Sequence, residues 1–224
     1  MSPRRGGPTA RIEVHPLTPD RWDDLVRLFG ERGAYGGCWC MFFRLPRKAF
    51  DAGARRGGAG NRAALRSLVR EGRVPGLLAY VEGEPVGWVS VGPREGFGRV
   101  QRSTFGKISP GDGTWAIVCF FVDRRHRGRG VGRALLRAAV EHARREGARA
   151  VEAYPVDANV RRPAAAEAYV GVASMFEAEG FREAARPYPS RPLVRKALRR
   201  GPDPGRGEPA ASAGWGAWIR TMTT

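Results

Sequence analysis

At 224 residues, with 42% hydrophobic and 27% charged positions, the chain has material for one domain with a substantial core. Its longest apolar runs, Trp115 to Val122 and Val74 to Val81, fall far short of the ~18 residues of a membrane span, and no apolar segment follows the N-terminus to make a secretory signal. The net charge of +17, from 39 basic and 22 acidic residues, predicts affinity for anions; no aromatic-basic stripe and no zinc-finger or helix-turn-helix spacing points to nucleic acid. Three cysteines, two of them in Cys38-Trp39-Cys40, make no disulfide framework, and a reducing cytoplasm is the expected compartment.

Residues 1–10 and the Pro/Gly-rich segment 200–224 read as tails, the second carrying Trp215, Trp218 and Ile219, and 11–199 as the domain. Ile12 and Val14 alternate with polar neighbours as a first strand. Thr18 is placed to cap a helix with Pro19 at its first position and Trp22, Leu25, Val26 and Phe29 on its apolar face. A Gly-rich aromatic loop spans Gly30 to Pro46, and Asn61 is expected to cap a helix bearing Leu65, Leu68 and Val69. Leu77–Val81 and Val86–Val91 flank Glu82-Gly83-Glu84-Pro85 as a hairpin. The continuous apolar run Trp115–Val122 suits a strand buried on both faces. From Gly130 to Glu146, Val131, Leu135, Ala138, Ala139 and His142 form a helical stripe closed by Gly147, and Ala150–Tyr154 follows as a strand. Pro163 is expected to open an Ala-rich helix reaching Glu179 with Gly180 closing it, before short strands at 181–185 and 193–198. The order predicts an α+β fold: a mixed, mostly antiparallel central sheet with a βαβ unit at its centre and helices on both faces.

Chemistry concentrates where the apolar strand runs into Asp123-Arg124-Arg125-His126-Arg127-Gly128-Arg129-Gly130-Val131-Gly132 and the next helix. Glycines at 128, 130 and 132 let successive N–H groups converge, and a helix N-terminus adds unpaired donors and positive dipole. The expected product is a pyrophosphate cradle with arginines on its rim. A P-loop is excluded because no Gly-Lys-Ser/Thr is present. A dinucleotide fingerprint is excluded because no third glycine stands at the required offset.

Arg127-x-x-Gly130-x-Gly132, between an aliphatic strand end and a helix carrying Leu135-Leu136, resembles the Gln/Arg-x-x-Gly-x-Gly/Ala motif of the GNAT acetyltransferases. Ser174 to Phe181 is similar to the family's second block, a helix ending in Gly-Phe, and the element order agrees from Arg11 to Arg199. The resemblance implies acetyl-CoA as acyl donor and an amine acceptor, small molecule or protein, and leaves a homodimer open. It also implies pantetheine along the backbone of Phe120, Phe121 and Val122, pyrophosphate on Arg127, Gly128, Arg129, Gly130, Val131, Gly132 and Arg133, and Phe176 as a wall of the slot. At the position where the family commonly carries a proton-donating tyrosine this chain has Phe176, and seven residues earlier Tyr169 replaces a frequent asparagine. Tyr169, projecting from the same helical face, is the alternative donor or else a packing residue. Glu152 is the candidate base, with Tyr154 and Cys119 beside it; an outward-facing strand carboxylate is the competing reading of Glu152.

No metal is expected, because Cys-x-Cys is short for a zinc pair and lacks four ligands. Tyr35, Trp39, Phe42 and Phe43 are candidates for the acceptor wall. The two functions left standing are an N-acetyltransferase and a catalytically weak acyl-CoA-binding module acting through a protein or nucleic-acid partner.

Overall fold

Strand alternation divides the hydrophobic residues between two sides of one sheet. In the computed structural model, which describes residues 11–109, 112–162, 164 and 167–198, seven strands stand in the order β1-β2-β3-β4-β5-β7-β6. They are β1 (Ile12–Pro16), β2 (Gly76–Val81), β3 (Glu84–Pro93), β4 (Thr114–Val122), β5 (Ala150–Ala153), β6 (Arg182–Tyr188) and β7 (Arg191–Ala197). Every pairing is antiparallel except β4 with β5, the crossover made by the central βαβ unit. On β2, Leu77 and Ala79 join one core while Leu78 and Tyr80 join the other, as the two-residue period of a strand requires.

The helices are α1 (Trp22–Phe29), α2 (Arg47–Arg70), α3 (Gly98–Arg102), α4 (Thr104–Ile108), α5 (Val131–Arg145) and α6 (Ala173–Glu177). Leu135, Leu136, Ala139 and Val140 of α5 pack with Val89, Val91, Ile117 and Val151 on one face. Leu25 and Phe29 of α1 and Leu65 and Leu68 of α2 pack with Trp88 on the other, Phe29 meeting the Trp88 ring edge-on at 5.8 Å. A third cluster joins Phe97 and Val100 to Ala116, Val118, Tyr154 and Leu193.

Thr18 precedes a single turn of 3-10 helix, Pro19–Arg21, before α1; its side chain makes no cap bond to the backbone, and its hydroxyl instead accepts from Arg21 Nη1 at 2.9 Å. Asn61 does not cap a helix either. Helix α2 starts at Arg47 and is interrupted at Arg55–Gly58, where Arg56, Gly57 and Gly58 have φ of 51°, 68° and 82°. Asn61 lies within the second half, fully buried, and its Nδ2 donates to the carbonyls of Gly37 (2.9 Å) and Phe50 (3.4 Å). A good capping side chain is spent instead on joining the aromatic loop to both halves of α2. The interruption also brings Gly58 against Gly37 so closely that a Cβ on Gly58 would stand 2.5 Å from the Gly37 carbonyl oxygen.

The long helix expected up to Glu179 is absent from the described residues. A 3-10 turn, Ala168–Val170, is separated from α6 by Gly171 at φ +79°, while Pro163, Ala165 and Ala166 lie outside the described residues. Tyr169 and Phe176 therefore do not share a helix. The two tails, with Trp215, Trp218 and Ile219, also lie outside them. Among the described residues no helix is long and apolar enough to cross a membrane.

Candidate active site

Strand β4 loses its neighbour part-way along. It pairs with β5 only from Thr114 to Ile117, against Ala150 to Ala153, while β3 follows its other edge to Val122. Beyond Ile117 that edge has no strand partner among the described residues, and the turn Ala168–Val170 packs near β4. The chain after β5 leaves the sheet, and Val156 makes a parallel bridge to Val172 instead.

At the end of β4, Asp123 accepts from the Arg125 backbone N–H (2.8 Å) and from Arg125 Nε (3.0 Å), so one carboxylate turns the chain and fixes an arginine. The Arg125 guanidinium and backbone bonds hold the Asp123 carboxyl below the usual carboxylate range. After a 3-10 turn, Arg124–His126, Gly128 and Gly130 adopt φ of 73° and 85°, and Gly130 occupies the position that opens α5. A Cβ on either glycine would meet nothing within 4 Å. Open space therefore lies above a backbone in a conformation that other residues rarely adopt. The first helical bond runs from Ala134 N–H to the Gly130 carbonyl at 3.0 Å, which leaves the N–H groups of Val131, Gly132 and Arg133 ahead of the helical ladder. These donors, at the positive end of a 15-residue helix, fit a pyrophosphate.

The arginines differ in their freedom. Arg127 turns back and donates from Nε to the Val122 carbonyl (3.1 Å), bracing the end of β4. Arg133 and Arg137 both reach Glu179, at 3.4 and 2.8 Å, and so tie α5 to the residues after α6. Arg129 is exposed on the rim. Phe176 is not a wall of the slot. It is fully buried, edge-on to Phe120 (6.0 Å) and Phe181 (5.2 Å), and supports β4 from within the core.

On the other side of β4 a cavity of about 280 Å³ opens against Cys119, Phe120 and Phe121. Its remaining walls come from Tyr35, Cys38, Cys40, Phe42 and Phe43 of the aromatic loop, Phe50 of α2 and Tyr169. The Phe42 ring stands 5.0 Å from Phe43, 5.3 Å from Phe50 and 6.2 Å from Tyr169, an aromatic box with no carboxylate in its lining. Burial, reinforced by Cys119, raises the Tyr169 phenol above its ordinary range. Trp39 belongs elsewhere: it is buried in the core of the α1/α2 face, stacked on Trp22 at 6.3 Å. Phe50 was not singled out by the sequence, although a lone aromatic in the otherwise small and polar segment before the α2 interruption, just after the aromatic loop, was a usable signal.

Glu152 is neither outward-facing nor open to a substrate. It is fully buried on the paired part of β5; its Oε2 accepts from Ser109 (2.6 Å) and its Oε1 from Tyr154 (2.5 Å), with Arg94 Nε at 3.7 Å. Burial, then the charge and hydrogen bond of Glu152, push the Tyr154 phenol well up. Both oxygens are engaged, so the carboxylate ties Ser109 and Tyr154 together inside the fold. His142, expected on the stripe of α5, is buried edge-on to Trp115 at 5.5 Å, and burial lowers its pKa. Among the described residues no group of three or more His, Cys, Asp and Glu stands in position to hold a metal ion. A larger depression of about 820 Å³ between α1 and α2, lined by Arg27, Arg56, Arg62, Arg66 and Arg70, borders no part of β4.

Residues 40–171, which include β4, the glycine cradle and α5, match the acetyltransferase (GNAT) family. The chain belongs to that family. It is accordingly an acyl-CoA-dependent acetyltransferase, with acetyl-CoA as the acyl donor. No curated protein matches the chain. Among solved structures it is similar to the PaiA N-acetyltransferase of Thermoplasma acidophilum in complex with coenzyme A, at 12% identity and a TM-score of 0.49 over 84% of this chain and 99% of that one. It is similar to the ribosomal-protein-alanine N-acetyltransferase of Brucella melitensis at 18% identity and a TM-score of 0.49, over 83% and 99% of the two chains. A GCN5-related N-acetyltransferase of Kribbella flavida shares 21% identity at a TM-score of 0.49, over 86% of this chain and all of that one.

Proposed function

We propose that the chain moves an acetyl group from acetyl-CoA to a primary amine of a small molecule or a protein, and that the amine enters the aromatic box beside Cys119. The observation that carries this reading is the position of the box: it opens on the stretch of β4 that has no β5 partner, and that strand ends in the glycine cradle. The N–H groups of Gly128 to Arg133 are suited to hold the pyrophosphate, and the open edge of Phe120, Phe121 and Val122 the pantetheine arm. When bound, acetyl-CoA supplies an acyl group already activated as a thioester.

The chain's own contribution is binding, orientation and proton handling. Tyr169 on the box wall keeps its proton at neutral pH, because burial and Cys119 raise its phenol, and its hydroxyl is the donor available to a departing thiolate. With Glu152 enclosed, the amine proton leaves through water at the mouth of the box. The lining favours an amine on an apolar or aromatic body, whose ammonium form the ring faces also attract. The three free thiols support a reducing cytoplasm as the working compartment.

The binding-module reading has one observation in its favour: Phe176, at the position where the family commonly has its tyrosine, is sealed in the core. Release of free CoA thiol from acetyl-CoA, screened over arylalkylamines, aminoglycosides and peptide N-termini, separates the two. Release with at least one amine is expected. Binding of acetyl-CoA with no release above the uncatalysed rate across the panel would favour the module.

A further inference from the structure

All three cysteines of the chain line the aromatic box, although they come from two distant segments. Cys40 Sγ and Cys119 Sγ stand 3.5 Å apart across 79 residues of sequence. Trp39 and Cys40 have φ of 41° and 51°, two adjacent non-glycine residues in the left-handed region, which surrounding contacts must hold in place. The loop backbone is thus kept in an unfavourable form that delivers the Cys40 thiol to β4. Cys40 is buried, while Cys38 and Cys119 are half-buried on the cavity wall, within reach of a small reagent.

We propose that Cys40 and Cys119 close a reversible disulfide that fastens the aromatic loop to β4 and shuts the box, with a small disulfide as oxidant and Cys38 as the first nucleophile. A disulfide needs its sulfurs at about 2.05 Å, so closure asks for a shift of roughly 1.5 Å between a loop and a strand already in contact. The neighbouring Cys40 side chain lowers the Cys38 thiol to about 6, which favours the Cys38 thiolate at neutral pH, whereas burial pushes Cys40 up and keeps it protonated, its S–H directed to Cys119. The Cys38 thiolate attacks the small disulfide RSSR, forming a mixed disulfide and releasing RS⁻, which takes up a proton. Cys40 then displaces the second RS group, forming Cys38–Cys40. Cys119 attacks Cys40 Sγ and returns Cys38 as a thiolate. Two protein thiols and one RSSR thus become one protein disulfide and two RSH.

The inference goes beyond acetyl transfer, and its main readout does not depend on it. The full-length protein is incubated with oxidised glutathione, alkylated with iodoacetamide in denaturant so that the buried Cys40 is counted, and mapped by peptide mass. The expected result is a fall from three alkylatable thiols to one, a mass lower by two hydrogens, a Cys40–Cys119 cross-linked peptide, and full reversal by dithiothreitol. Cys119→Ser, or Cys119→Ala if the serine variant does not fold, should lose this cross-link. Cys38→Ser should form it more slowly than wild type. Three free thiols after oxidation, or a stable glutathione adduct without the cross-link, would overturn the proposal; a wild-type rate in Cys38→Ser would overturn the initiating role. Where acetyl transfer is measurable it should fall on oxidation and return on reduction. A cross-link without any transferase activity would count against the functional reading and leave the thiol chemistry intact.

Discussion

With Tyr169 held protonated by its burial and by Cys119, the change Tyr169→Phe keeps the ring contacts with Phe42 and Phe43 and removes only the hydroxyl. General-acid help is worth roughly 10²–10⁴-fold, so kcat should fall by about that factor with acetyl-CoA affinity nearly unchanged. Steady-state kinetics beside equilibrium binding check this, and a variant within about threefold of wild type would remove the role. At the same wall, the lowered Cys38 thiol sets the sign of a pH effect. A thiol near 6 is mostly thiolate above that pH, so alkylation of Cys38 by iodoacetamide should rise through about pH 6 and level off by about pH 7. An unperturbed thiol goes on rising past about pH 8. Rates measured across pH, with the site assigned by peptide mapping, distinguish them. Sequence spacing placed Tyr169 as a candidate for a reason that the structure replaces. The Gly171 break puts it off the α6 helix, and it reaches the box through its own turn.

Among the elements, the hairpin, the buried strand and α5 were legible because each rests on local physics: a tight turn, an unbroken apolar run, a periodic stripe closed by glycine. Helix α2 was not, because its meaning is long-range. Asn61 serves two carbonyls distant in sequence, and nothing near it announces that. Asn61→Ala leaves the buried Gly37 carbonyl without its donor and should lower stability by about 1–3 kcal/mol, read as a lower urea midpoint at unchanged slope. The surroundings of Glu152, read from sequence as a candidate base or an outward-facing carboxylate, were hidden for a related reason. Its partners Ser109, Tyr154 and Arg94 meet only once β5 has paired, so nothing near Glu152 in sequence announces its enclosure. The glycine turn and the start of α5 were legible because a bend of this kind needs only backbone, glycines and a helix end. Gly130→Val should weaken CoA binding by calorimetry while far-UV circular dichroism stays near that of wild type. The added side chain enters the open space over the cradle and strains a φ of 85°. A folded variant of unchanged affinity would move the phosphate site elsewhere.

At the scale of the whole molecule, one sheet sets the glycine turn and the aromatic box at the C-terminal part of β4, and the helices on its two faces hold that strand in place. The sheet and the glycine turn that opens α5 could be read from the chain; the box could not be assembled, because it gathers a loop, a helix, a strand and a turn that only the fold brings together. The charge of +17 contributes a general attraction for anions, which makes discrimination between nucleotides the sharper question. A thermal melt of the full chain with acetyl-CoA or with NAD tests it directly. Acetyl-CoA at 100 times its dissociation constant should add about 2.7 kcal/mol to folding stability and raise the Tm, while NAD at equal concentration leaves it unmoved. Equal shifts with both nucleotides, or none with acetyl-CoA, would contradict the assignment of the cradle.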